Sequence, residues 1–197
     1  MTRTCGRKWR IVPQVRSWAD VRPAYRSPAV LTLRSALPVV SVVLIVAYAD
    51  IRIPMRLPGH RGLVWLTLLV AVVLLAHRRA TVVAVGAAAT IATLAIHLPT
   101  DTASSMRYLT ASILLYSVAV APVARRRPWL VVLAAAPIHL VGLVGAVAAS
   151  LGRGYLSAFA APGLAEKALW HLGFGLVAGL LGWVIASAGT DSLRIRG

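Results

Sequence analysis

The residues best suited to chemistry lie between the apolar stretches of the chain. Residues 51–62, which read IRIPMRLPGHRG, bring Arg52, Arg56 and His60 together between two apolar runs. Two prolines restrict this backbone and Gly59 permits a turn. We expect the segment to be a lid over a ligand site, with Arg56 and His60 touching an anionic ligand. Contact with phospholipid headgroups is the alternative explanation.

Other polar groups are placed to line such a site. Tyr108, Ser112 and Tyr116 recur every four residues and form one edge of a helix. His139 lies inside an apolar stretch, where an ionisable side chain indicates function, although a neutral histidine bonded to a carbonyl or a tyrosine is the structural alternative. The predicted substrate-binding residues are Arg52, Arg56, His60, Asp101, Arg107, Tyr108, Ser112, Tyr116, His139, Glu166 and His171.

Motifs for catalysis are missing from the sequence. It contains no H-E-x-x-H, no G-x-S-x-G and no P-loop, so the usual metalloprotease, serine hydrolase and NTPase chemistries lack their residues. The single cysteine, Cys5, excludes disulfides within the chain and cysteine-ligated metal sites. We therefore predict a protein that is not an enzyme, with no catalytic residues, no metal and no cofactor.

The composition is that of an integral membrane protein. Apolar residues make up 59% of the chain and charged residues 13%, against roughly a quarter charged in soluble domains. The mean hydropathy is +0.79. Bilayer spans of about 20 apolar residues each account for this excess. Six runs qualify as helices: residues 35–51, 62–76, 80–98, 108–124, 129–151 and 168–188.

The predicted fold is therefore an all-α, six-helix transmembrane bundle in the cell inner (plasma) membrane. A basic N-terminal arm (1–34) precedes the transmembrane domain (35–188), and a short tail (189–197) follows it. The net charge of +16 is explained by loop topology and by contact with anionic lipids. Because the basic loops are short, we expect no nucleic-acid partner.

Small residues recur at helical spacing in three predicted spans. Such stripes let helix backbones approach closely in a membrane. They predict either packing within the bundle or docking of a partner membrane protein. The residues are Ala84, Ala88 and Ala92 on the third helix, Ala135, Gly142, Ala146 and Ala149 on the fifth, and Gly175, Gly179 and Gly182 on the sixth.

Three stretches together resemble the S components of energy-coupling factor transporters. They begin with IRIPMRLPGHRGLVWLTLL, MRYLTASILLYSVAVAPVARRRPW and FAAPGLAEKALWHLGFGLVAG. The resemblance implies six helices and capture of a vitamin or similar small molecule at the outer face. It also implies two kinds of partner, a transmembrane T subunit and paired ATPases. The first helix lacks the Ala-x-x-x-Ala face of many S components, so the third-helix alanines are the candidate docking surface.

Two other classes of function remain open at this point. A non-enzymatic membrane sensor would share the arginine-rich loops and the alanine-rich helices. An assembly subunit of another membrane complex would need only the small-residue stripes. Co-purification separates the three classes, since ATPases indicate transport, a response regulator indicates sensing, and a fixed complex without either indicates assembly.

The distribution of basic residues predicts the orientation of the chain. Of the 21 Lys and Arg residues, 15 fall on the side of the two termini and six on the other side, which places both termini in the cytoplasm. A reporter that is active only in the cytoplasm should therefore be active when it is fused to Gly197. A fusion that reports an external C-terminus would contradict the six-helix plan.

Overall fold

The computed structural model describes residues 28–50, 59–96, 102–144 and 163–194; for residues 28–34, 50, 102–104 and 190–194 it describes the backbone alone. These residues form helices and no strand, which confirms the prediction of an all-α chain for the described part. The helices are α1 (Pro28–Asp50), α2 (Arg61–Leu75), α3 (Thr81–Ile96), α4 (Thr102–Val120), α5 (Pro122–Arg126), α6 (Trp129–His139) and α7 (Leu164–Arg194).

The helix boundaries differ from the predicted ones for identifiable reasons. The predicted fourth helix, 108–124, is divided: α4 ends at Val120 and α5 begins at Pro122, because proline has no N–H to donate inside a helix. The first helix begins at Pro28, seven residues before the predicted start at residue 35. Proline is favoured at the first position of a helix, where the backbone N–H would have no partner within the helix. Helices α4 and α7 also begin earlier than predicted, because backbone hydrogen bonding does not require apolar side chains. Helix α6 ends at His139, short of the predicted end at residue 151.

The six main helices, all except α5, alternate in direction. Gly59, Arg107, His139 and His171 lie at one end, which we call the site end. At the opposite, basic end, Arg79 Nη1 donates a hydrogen bond to the carbonyl oxygen of Ala119. Helices α2, α4 and α7 therefore run from the site end to the basic end, and α3 and α6 run back. The end of α1 lies beside the start of α2.

Helix α2 is the centre of the bundle. It contacts α1, α3, α4, α6 and α7. The successive residues Val70, Ala71 and Val72, which point about 100° apart around this helix, are all fully buried, the pattern of a helix that is apolar all round and enclosed by others. Its position brings residues at its first turn, at the site end, into contact with three other helices.

Helix α7 packs closely on α6 and α2 through glycines. A Cβ at Gly175 would lie 2.7 Å from the carbonyl oxygen of Ala135, and one at Gly182 would lie 2.7 Å from Val70 Cβ. At Gly179 a Cβ would overlap the carbonyl oxygen of Val132. All three glycines are buried, so α7 presents this stripe to its neighbours.

The alanine stripe on α3 is placed differently. Ala84 and Ala88 are exposed and Ala92 is half-buried. The opposite face of α3 packs on α4, where Gly86 adjoins Ser112 and the hydroxyl of Thr90 donates to the carbonyl of Ser105 over 3.1 Å. The exposed alanines therefore lie on the outside of the bundle.

One stretch of the described residues is long and apolar enough to cross a membrane by length and composition, Leu164–Gly189 in α7. Five further apolar helices are shorter, between 10 and 17 residues. They comprise Ser35–Ala49, Arg61–Leu75, Thr81–Ile96, Ser105–Val120 and Trp129–Val144.

The glycine contacts of α7 generate a stability prediction. Gly179→Leu should lower the free energy of unfolding by about 1 to 3 kcal/mol, because the new side chain overlaps the α6 backbone. Gly173→Leu on the same helix is the matched control, since a Cβ there meets nothing within 4 Å. Chemical unfolding in detergent compares the two variants. Equal stability would show that Gly179 does not pack on α6.

Candidate functional site

A cavity of about 190 Å³ opens at the site end of the bundle. Its walls come from the start of α2, the second turn of α4, the end of α6 and the first part of α7, so four helices meet around it. The lining residues are Gly59, His60, Arg61, Gly62, Trp65, Arg107, His139, Gly142 and His171. Apart from the glycines, every one of these side chains carries a polar group.

Two buried histidines are held by backbone carbonyls. His139 Nδ1 lies 2.8 Å from the carbonyl oxygen of His171, and His171 Nδ1 lies 2.8 Å from that of Lys167. A carbonyl oxygen only accepts, so Nδ1 carries the proton in both rings. In the neutral ring, Nε2 is then left as a hydrogen-bond acceptor. The ring centroids are 5.0 Å apart.

Glycines occupy the positions beside these rings. A Cβ at Gly62 would overlap the imidazole of His139, with Nε2 as its nearest atom. Gly59 has φ +90°, which an L side chain rarely adopts, and it lies against the ring of His171. A Cβ at Gly142 would lie 3.7 Å from His171 Nε2. Nε2 of His139 therefore faces the backbone of Gly62, and Nε2 of His171 faces the open space beside Gly142.

Trp65 forms an aromatic wall behind the histidines. Its ring stacks on His139 with centroids 5.8 Å apart and planes at 28°. The edge of the neighbouring Tyr108 meets it at 79°, with centroids 5.7 Å apart. Trp65 and Tyr108 are almost fully buried, so this side of the cavity is rigid and flat.

Arg107 provides a positive charge at the cavity wall. Its Nη2 donates to the hydroxyl of Tyr108 over 3.0 Å, and its guanidinium lies 5.0 Å from the centroid of the Tyr108 ring. The Nε atom is buried and has no hydrogen-bond partner among the described residues. Burial of such a donor without an acceptor costs free energy, so this group is a candidate to bind a ligand.

The structure brings together several of the predicted site residues. His60, Arg107, His139 and His171 line the cavity, and Tyr108 packs against its wall. Arg52, Arg56 and Asp101, together with most of the predicted lid, lie outside the described residues.

Three other predicted site residues do not line the cavity. Ser112 is buried against Gly86 and donates to the carbonyl of Leu109. Tyr116 packs at the edge of the apolar core. Glu166 is exposed on the first turn of α7. The spacing of Tyr108, Ser112 and Tyr116 indicated a shared face, but that face runs along α4 from the cavity into the core.

Sequence reasoning missed Trp65, Gly62 and Gly142 as parts of the site. A signal for two of them was present, because Gly62 and Trp65 are three residues apart and share one face of a helix. The contact of Gly62 with His139 joins distant parts of the chain, and local spacing does not reveal it.

Comparisons with known proteins add no family to this description. No protein-family model, no curated protein and no solved structure matches the chain. Within the described ranges, no three His, Cys, Asp or Glu side chains are grouped so that they could hold a metal ion.

The packing of His139 on Gly62 predicts the effect of a single methyl group. Gly62→Ala should lower the free energy of unfolding by about 1 to 3 kcal/mol, because its Cβ overlaps the imidazole. Gly173→Ala, at an open position on α7, should cause no loss, since alanine favours helices.

A double-mutant cycle with His139→Ala identifies the cause of the loss. The shorter side chain makes room for the methyl group, so the double variant should lose less stability than the sum of the two single variants. Strict additivity in chemical unfolding would show that Gly62 and His139 do not pack together.

Proposed function

We propose that this chain is a multi-pass membrane protein that captures a small molecule, as the S component of an ECF-type uptake transporter. In this role it works with a transmembrane T subunit and paired ATPases and is surrounded by membrane lipids. The cavity at the site end carries the proposal, because polar and aromatic groups from four helices converge there. Few convergent polar groups in an otherwise apolar protein are typical of ligand sites.

The distribution of polar and apolar side chains supports the membrane setting. Large apolar residues are exposed around the bundle, among them Leu169 at 70% and Ile91 at 67%. His139 and Ser112, by contrast, are almost fully buried. Large exposed apolar surfaces indicate contact with a membrane or a partner, and in membranes polar groups turn toward the bundle interior.

The alternation of the six main helices supports the same setting. It places the start of α1 and the end of α7 at the basic end, and the arginine runs 78–79 and 125–127 follow helices that end there. Under the positive-inside rule this end faces the cytoplasm and the cavity faces outward. Helix α2, with 15 residues, is about 22 Å long, so the bilayer would have to thin around it.

Capture as part of a transporter rests on the resemblance to S components together with the cavity. A site that faces outward, at one end of a bundle, suits a subunit that collects its substrate from outside the cell. The same subunit needs a partner to drive uptake, which the T subunit and ATPases provide in that family.

Purification in mild detergent tests the proposal. Native mass spectrometry of the tagged protein from its own cells should find a retained small molecule, and the T subunit and ATPases should co-purify. Gly142→Leu should reduce the retained molecule at least about tenfold, because leucine projects into the cavity while its Cβ makes only ordinary contact with His171.

Gly173→Leu serves as the control and should retain the molecule, because position 173 is open and lies outside the cavity lining. Loss of the small molecule from both variants would contradict the placement of the site. Co-purification of a response regulator, or of a fixed complex without ATPases, would replace transport by sensing or assembly.

A further inference from the structure

We infer that the cavity takes a small organic acid that also carries an N–H or O–H donor. The inference rests on the proposed function, since it names the class of molecule that the outward-facing site captures. It follows from three features of the cavity: a cation without a counter-ion among the described side chains, a directed acceptor and a flat wall.

The cation is Arg107. Of the five acidic residues in the chain, only Glu166 has a described side chain, and it is exposed. Arg107 forms no ion pair with it, and its buried Nε has no acceptor within the described part of the chain. A partly buried charge without a counter-ion is costly. A carboxylate placed in the cavity would accept from this guanidinium in the geometry that arginine favours.

The directed acceptor is Nε2 of His171, whose ring lies beside that of His139. Both rings donate from Nδ1 to backbone carbonyls, so their orientation is set before any ligand arrives. Nε2 of His139 packs on the backbone of Gly62, whereas Nε2 of His171 adjoins Gly142, where no side chain fills the space. A ligand N–H or O–H can therefore bind at His171 Nε2, and a ligand that offers only acceptors leaves this nitrogen unsatisfied.

The flat wall and the volume limit the size of the ligand. The stacked Trp65 and His139 rings suit a planar group. A cavity of about 190 Å³ is smaller than the roughly 300 to 1,000 Å³ of sites for drug-sized molecules. A single planar ring with a carboxylate matches these limits.

A cationic ligand is disfavoured by the same residues. Arg61 and Arg107 both line the cavity, and no described carboxylate faces it. A bound cation would meet two positive charges and no negative charge from the described side chains.

Three probes of similar shape test separately the requirement for a carboxylate and the requirement for an N–H donor. Pyrrole-2-carboxylate supplies a carboxylate and an N–H donor, furan-2-carboxylate lacks the donor, and pyrrole-2-carboxamide lacks the charge. Ligand-observed NMR titrations of the protein in lipid nanodiscs measure their relative affinities. Pyrrole-2-carboxylate should bind at least about tenfold more tightly than either of the others, the difference expected for one hydrogen bond to a charged or directed group.

Two variants assign the requirements to residues. His171→Asn keeps a donor near the position of Nδ1 for the carbonyl of Lys167 but removes the Nε2 acceptor, so it should weaken the preference for pyrrole over furan severalfold. Arg107→Gln should abolish the preference for the carboxylate over the carboxamide. Arg125→Gln, at an exposed position in α5, is the matched control and should preserve both preferences.

Equal affinity for the three probes, or no binding of any of them, would overturn the inference. A co-purified cationic or neutral molecule would also overturn it while leaving the capture function intact. Conversely, the expected preferences without co-purifying ATPases would retain the acid site and refute the transporter assignment.

Discussion

The hydrogen bond from His139 to the carbonyl oxygen of His171 is the interaction on which the site depends. It joins α6 to α7 at the cavity. A backbone carbonyl oxygen has two lone pairs, so that of His171 can accept this bond in addition to a hydrogen bond within the helix. The bond forms only if the two helices are close, which Gly175 permits because a side chain there would meet the α6 backbone. It also sets the ring against Gly62, so α2 is positioned by the same contact. One hydrogen bond and two glycines thus fix α2, α6 and α7 relative to one another.

Much of the helical architecture could be predicted from the sequence, because apolar runs of sufficient length indicate helices. The six predicted runs correspond to the six main helices, with errors at the ends. Pro122 separates α5 from α4, and a hydropathy pattern alone does not predict such a break. The described residues form helices and no strand, and six crossings of a membrane are a proposal that rests on the exposed apolar surface and the direction of the helices.

The candidate site was predictable to the extent that residue type carries information. His60, Arg107, His139 and His171 were recognised because charged and titratable groups are rare in this chain, and the structure places all four at one cavity. Trp65, Gly62 and Gly142 were missed as site residues because tryptophan and glycine are common in helical membrane proteins for other reasons. Their role follows from contacts between helices that are distant in the chain, such as Gly62 with His139. Such contacts cannot be predicted from the residue spacing of a single sequence.

The central position of α2 has a consequence for the order in which the protein is assembled. Helix α2 leaves the ribosome well before α6 and α7, two of the helices that enclose it. Synthesis proceeds at about 5 to 20 residues per second, so the faces of α2 that bind α6 and α7 wait several seconds for their partners. During that interval the apolar faces of α2 must be covered by the nearer helices or by another apolar environment. The cavity consequently forms only after α7 has been made, and a chain interrupted before α7 would lack a complete site.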